Sequence, residues 1–165
     1  MTGTPREIDA QDRAALLLEG IVVLAAEEAE GRTHVEVSGA GEERVRAAVA
    51  ARLGGDVEVS VLAELPRTLE PRRCVGHMER EPGRLQLRYV LWGDEHMDDI
   101  VVAEDEERVV VLASVCTAAA GEVRDGCECP FHVYLGRPLG DRQVYDGLTG
   151  DPVPFKNVYE SLRGL

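Results

Sequence analysis

A change of hydrophobic period divides this chain and limits what it can fold into. Near the N-terminus Leu17, Ile21, Leu24 and Ala25 recur at helical spacing, and Leu16, Leu18, Val22 and Val23 widen the stripe. That pattern predicts a buried helix over residues 9–29, with Asp9 as N-cap, Ile8 placed for a hydrophobic staple and Gly31 as its stop. The next residues read as one β–α–β unit. Val35 and Val37 alternate with polar neighbours; Val45, Ala48, Val49 and Leu53 mark a helical face; Val57, Val59 and Val61 alternate again. Two such strands in one sheet require a crossover connection, right-handed by rule. From Leu85 the period is two. Leu85, Leu87, Tyr89 and Leu91 face one way and Gln86 and Arg88 the other. Ile100 to Ala103 and Arg108 to Val115 predict a hairpin around Glu104–Glu107, and Phe131 to Leu135 and Gln143 to Tyr145 shorter strands. Asn157 to Leu162 is at most a short terminal helix.

Between the two regimes lies a segment rich in proline and arginine (Pro66, Pro71, Pro82; Arg67, Arg72, Arg73, Arg80). The expected class is therefore α+β. Residues 1–62 form a helix and a β–α–β part, 63–84 a connector, and 85–165 an antiparallel, sandwich-like sheet packed with the first part. Whether the two parts share one core is left open. A length of 165 residues suits one ordinary domain or two very small ones.

Charge narrows the partners. At −13 the chain repels phosphate backbones, which sets nucleic acid aside and favours a basic protein partner, although solubility is the commoner use of such charge. The apolar run Ala14 to Ala26 is interrupted by Glu19 and Gly20 and is too short to span a bilayer. Its upstream flank carries Glu7, Asp9 and Asp12, where an export signal needs positive charge. These features give the expectation of a cytoplasmic protein without a membrane partner, its 4 cysteines reduced.

The segment from His132 to Gly147 resembles the tail of β-rich modules in uncharacterised bacterial proteins, many of them exported. The likeness covers about residues 85–150, with Pro138-Leu139-Gly140-Asp141-Arg142 as its one specific element. It implies strands and turns and no chemistry. Pro138 and Gly140 suit a turn, and Arg142 suits carbonyl oxygens or a pairing with Asp141 or Asp146.

Several constellations could carry chemistry. Cys74 with His77, and Cys129 with His132, are two C-x-x-H pairs, and Cys127 adds a C-x-C; two such pairs can close a tetrahedral zinc site. Buried cysteines and surface histidines are the blander account of the same residues. His77 with Glu79 and Glu81 nearby is a candidate acid–base group, and Cys116 in its Val-rich strand reads as a buried, inert thiol. The acids from Asp94 to Glu107 lack an EF-hand pattern; Glu104, Asp105, Glu106 and Glu107 read as a solvated loop and the candidate partner-binding residues. Gly39-Ala40-Gly41 opens a helix as a dinucleotide fingerprint would, but Glu42 and Glu43 face the phosphate position, so a tight turn is expected and no cofactor; zinc is the alternative, with Cys74 and Cys129 expected to lie far apart. The leading expectation is a protein-interaction module that binds or neutralises a basic partner. The alternative is a small metalloprotein or enzyme using a Cys/His site.

Overall fold

The computed structural model describes residues 3–54, 56–62, 70–93, 95–117 and 126–157. The chain divides into two compact units, Met1–Leu69 and Glu70–Leu165. Among the described residues no helix is long and apolar enough to cross a membrane.

In the first unit β1 (Thr4–Pro5) is followed by α1 (Ala10–Leu18), β2 (Val22–Ala29), β3 (Arg32–Ser38), α2 (Glu42–Leu53) and β4 (Val57–Leu62). The sheet order is β1-β2-β3-β4, antiparallel except for the parallel β3–β4 pair that α2 connects. The β–α–β reading therefore holds. The expected helix over 9–29 does not. Asp9 caps α1 by accepting from the Gln11 N–H at 2.8 Å, but the helix ends at Leu18. The N–H groups of Glu19 and Gly20 turn back to the Leu16 and Leu17 carbonyls, with Gly20 at φ 74°. Val22–Ala29 then pairs with β3 across a two-residue turn, Glu30 (φ 53°) and Gly31 (φ 74°), whose twist matches that of a hairpin. The apolar run fits either period. Its β-branched Ile21, Val22 and Val23 fit a pleated surface, and the cross-strand partners Val35 and Val37 decide the outcome. The core of this unit is Ile8, Leu16, Ile21, Val35, Val37, Val45, Val49 and Val59.

The second unit begins inside the span read as a connector. Glu70–Arg72 is strand β5 and Cys74–Glu81 is β6, so 70–81 is sheet rather than linker. Proline is tolerated there because β5 is an edge strand beside β9. Then follow β7 (Arg84–Trp92), β8 (Glu95–Glu104), β9 (Arg108–Thr117), β10 (Gly126–Tyr134) and β11 (Gln143–Asp146). One sheet, β10-β7-β6, is antiparallel throughout. In the other, β8 lies along one side of β9, while β11 and β5 share the opposite side, β11 running parallel to β9. Leu85, Leu87 and Tyr89 from one sheet meet Val109, Val111 and Ala113 from the other in a single core, joined by Cys74, Leu139, Val144 and Val153. The molecule is β-rich rather than evenly α+β. The expected helix at 157–162 lies outside the described residues, apart from Asn157 in irregular chain.

Candidate functional site

The acidic run at the β8–β9 turn divides into two kinds of residue. Glu104 Oε1 accepts from the Gly136 N–H at 2.6 Å and Oε2 from Arg142 Nη1 at 2.7 Å. Burial alone would raise the Glu104 carboxyl; those two donors, with Arg137 nearby, instead hold it below the ordinary value. Asp105 closes the turn on itself, accepting from Arg108 Nε at 3.0 Å and from the N–H groups of Glu107 and Arg108. The Arg108 guanidinium holds its carboxyl low. Neither residue is a spare solvated acid. Glu106 and Glu107 are exposed, and their side chains have no partner among the described residues.

Arg142, 8% exposed, ties this turn to the loop that follows β10. Its Nε donates to Leu139 O, Nη2 to the carbonyls of Arg137 and Pro138, and Nη1 also to Asp105 O at 3.3 Å. Asp146, 2% exposed, does the same further along. It accepts from the Cys74 N–H at 2.6 Å and from the N–H groups of Leu148 and Thr149 at 2.8 and 3.0 Å. Leu139 and Val144 enter the core between them. Arg142 and Asp146 of the Pro138–Asp146 segment thus have a structural task, the satisfying of backbone groups in long connections.

The four zinc candidates are not brought together. Cys74 and Cys129 both oppose Tyr89, from opposite neighbours of β7, which puts two strand spacings between them, about 9.5 Å. Cys74 Sγ donates to Gly76 O at 3.4 Å, and burial raises its thiol. His77 packs edge-on against Phe155, and burial lowers its imidazole. His132 lies on the other face of the sheet, with Nε2 3.1 Å from the Gln86 amide. Among the described residues no group of three or more His, Cys, Asp or Glu is placed to hold a metal ion. Glu79, proposed as a partner of His77, accepts instead from the N–H groups of Gly83 and Leu139.

A different Cys/His pair does meet. His96 and Cys116 are directly opposed on β8 and β9, with Nε2 and Sγ 2.8 Å apart. A bulge between Met97 and Asp99 brings Asp98 Oδ1 to 3.9 Å from the same sulfur. Cys116 is partly exposed rather than buried, because it projects from the face of β9 opposite the core residues Val111 and Ala113. Partial desolvation and the Asp98 carboxylate raise its thiol.

The outer face of β10-β7-β6 carries a ladder of ion pairs. Arg88 and Lys156 both pair with Glu128, Arg88 at 2.7 Å, and the Lys156 contact holds the Glu128 carboxyl low. Lys156 is the chain's only lysine. Its stem crosses β6 at Gly76, where a Cβ would stand 2.8 Å from Lys156 Cβ, so a larger residue would displace it. Beside this ladder a cleft of about 600 Å³ is lined by Met78, Glu79, Arg80, Glu81, Arg84, Gln86, His132 and Asn157. Sequence reasoning missed the cleft: its residues are close only because β6 and β10 both flank β7. In the first unit, Arg44 of the glycine-rich turn spends its guanidinium on the Ala40 and Glu19 carbonyls, the work of a cap.

Comparison of the chain with protein-family models, curated proteins and solved structures finds no match.

Proposed function

We propose that the protein is an interaction module whose second unit presents an acidic hairpin tip to a basic protein partner. The observation that carries this reading is the division of labour at the β8–β9 turn. Glu104, Asp105, Arg108, Arg137 and Arg142 fix the backbone of the turn, leaving Glu106 and Glu107 exposed on a rigid support. A fixed loop loses little conformational entropy on binding, so its charges act at full value in the encounter. A recess of about 400 Å³ adjoins the two acids, with Arg137, Pro138 and Leu139 among its walls. The net charge of −13 adds long-range attraction for a cationic surface.

The test uses an oligo-arginine peptide as the basic probe. Replacing Glu106 and Glu107 by Gln should slow association at low salt several-fold and flatten its salt dependence, since exposed charges act within about 10 Å at 0.1 M salt. The same substitution at the exposed acids Glu7 and Glu58 of the first unit should do less. Equal effects from the two pairs would reduce the tip to general solubility charge and end this reading.

A second reading, cysteine chemistry, rests on the His96–Cys116 contact. It ranks lower because Asp98 disfavours the thiolate, which is the reactive form.

A further inference from the structure

Two residues that line the cleft on the outer face of β10-β7-β6 each carry a buried polar atom without a partner among the described residues. Gln86 is 8% exposed, and its one side-chain contact is through Nε2 to His132; its Oε1 is buried and accepts nothing among the described residues. Arg84, two residues earlier on the same face of β7, has its Nε buried and equally unpaired. Its Nη1 is turned to Glu81 at 3.5 Å. Among the described residues the edge of the guanidinium formed by Nε and Nη2, the edge that takes a carboxylate through two parallel hydrogen bonds, has no partner. An unmet buried acceptor and an unmet buried donor are both costly, so a ligand that satisfies the two residues lining one cleft gains from each.

We propose that this cleft binds a small carboxylate that also carries a hydrogen-bond donor a few ångströms away, the chemistry of an amino acid or a hydroxy acid. The carboxylate sits on the Nε–Nη2 edge of Arg84, and the ligand's ammonium or hydroxyl donates to Gln86 Oε1. His132, accepting from Gln86 Nε2, holds that end of the amide and leaves Oε1 as the acceptor for the ligand. Glu81 remains in the cleft to disfavour polyanions such as phosphate. The site is separate from the acidic tip, and neither reading depends on the other.

The experiment is a two-dimensional amide NMR titration of the whole chain with glycine, glycolate, acetate and inorganic phosphate. Glycine or glycolate should give saturable shifts confined to residues around 78–86 and 132 and to the Gln86 side-chain amide, and the stronger of the two assigns the donor as ammonium or hydroxyl. Acetate, lacking the donor, should bind at least ~10-fold more weakly, the worth of one such hydrogen bond. Arg84→Gln should weaken every carboxylate by a similar factor, and Gln86→Met should erase the preference for glycine or glycolate over acetate while leaving the spectrum of the first unit unchanged. No saturable shift with either donor-bearing acid, equal binding of acetate, tighter binding of phosphate, or full affinity in Arg84→Gln would each overturn the proposal.

Discussion

The first unit buries an almost wholly aliphatic set, and Thr33 is the one buried polar side chain described there; the second buries His77, Gln86, Arg142 and Asp146 among its apolar residues. The difference follows from the connections. In the first unit β2 and β3 are joined by two residues and β3 and β4 by α2, so turns, the helix and the exposed Arg44 satisfy the backbone there without a buried polar side chain. The second carries long connections after β10 and β11, whose carbonyls and N–H groups need partners from elsewhere, and Arg142 and Asp146 supply them. Arg142 and Asp146 thus mark where irregular backbone must be held, whereas His77 and Gln86 lie within strands β6 and β7. Both surfaces assigned a binding role lie in that unit.

The largest test of this contrast is Arg142→Met. It strands Glu104 and several carbonyls, and should cost the second unit about 3 kcal/mol, the low end for breaking a buried pair because Glu104 is partly exposed. Hydrogen exchange resolved by segment should show β8, β9 and β11 losing protection while β3, α2 and β4 keep theirs. Equal loss in both units would break the contrast.

A smaller effect concerns pH. Burial depresses the His77 imidazole below its ordinary 6.5, so the unfolded chain binds the proton more readily. The stability this confers is complete above 6.5 and declines as pH falls below it. The carboxyls of Glu104 and Glu128, held below 4.5, add stability that is present above that value and lost as pH falls through their folded-state values. Urea midpoints of the second unit should therefore fall in two stages on acidification, and His77→Gln should remove the upper stage only. An unchanged upper stage in that variant would show that His77 is not its source.

The smallest effect sharpens the acidic run. Replacing Glu106 and Glu107 by Gln should leave stability within about 0.5 kcal/mol of the parent, as for other exposed positions, whereas Glu104→Gln should weaken the Arg142 clamp measurably in the same urea experiment. Indistinguishable midpoints for the two variants would mean that the clamp contributes nothing.

Period and turn chemistry written in the sequence determined much of this protein: α2 between β3 and β4, the alternating face of β7, and the β8–β9 hairpin with acids at its turn. These are local patterns, and neighbours along the chain enforce them. Other features depended on partners far away in sequence. Val22 to Ala29 fits helix or strand, and only pairing with β3 made it a strand. Glu104 and Glu106 look alike in the chain, and only the approach of Arg142 and Gly136 made one structural and left the other exposed. The C-x-x-H pairs have ligand spacing, yet the strand order places their cysteines on either side of β7, while the same order gathers Arg84, Gln86 and His132 into a cleft. Sequence spacing fixes which side chains share a face, but strand order and register fix which faces meet, and those are set by the burial of the whole sheet.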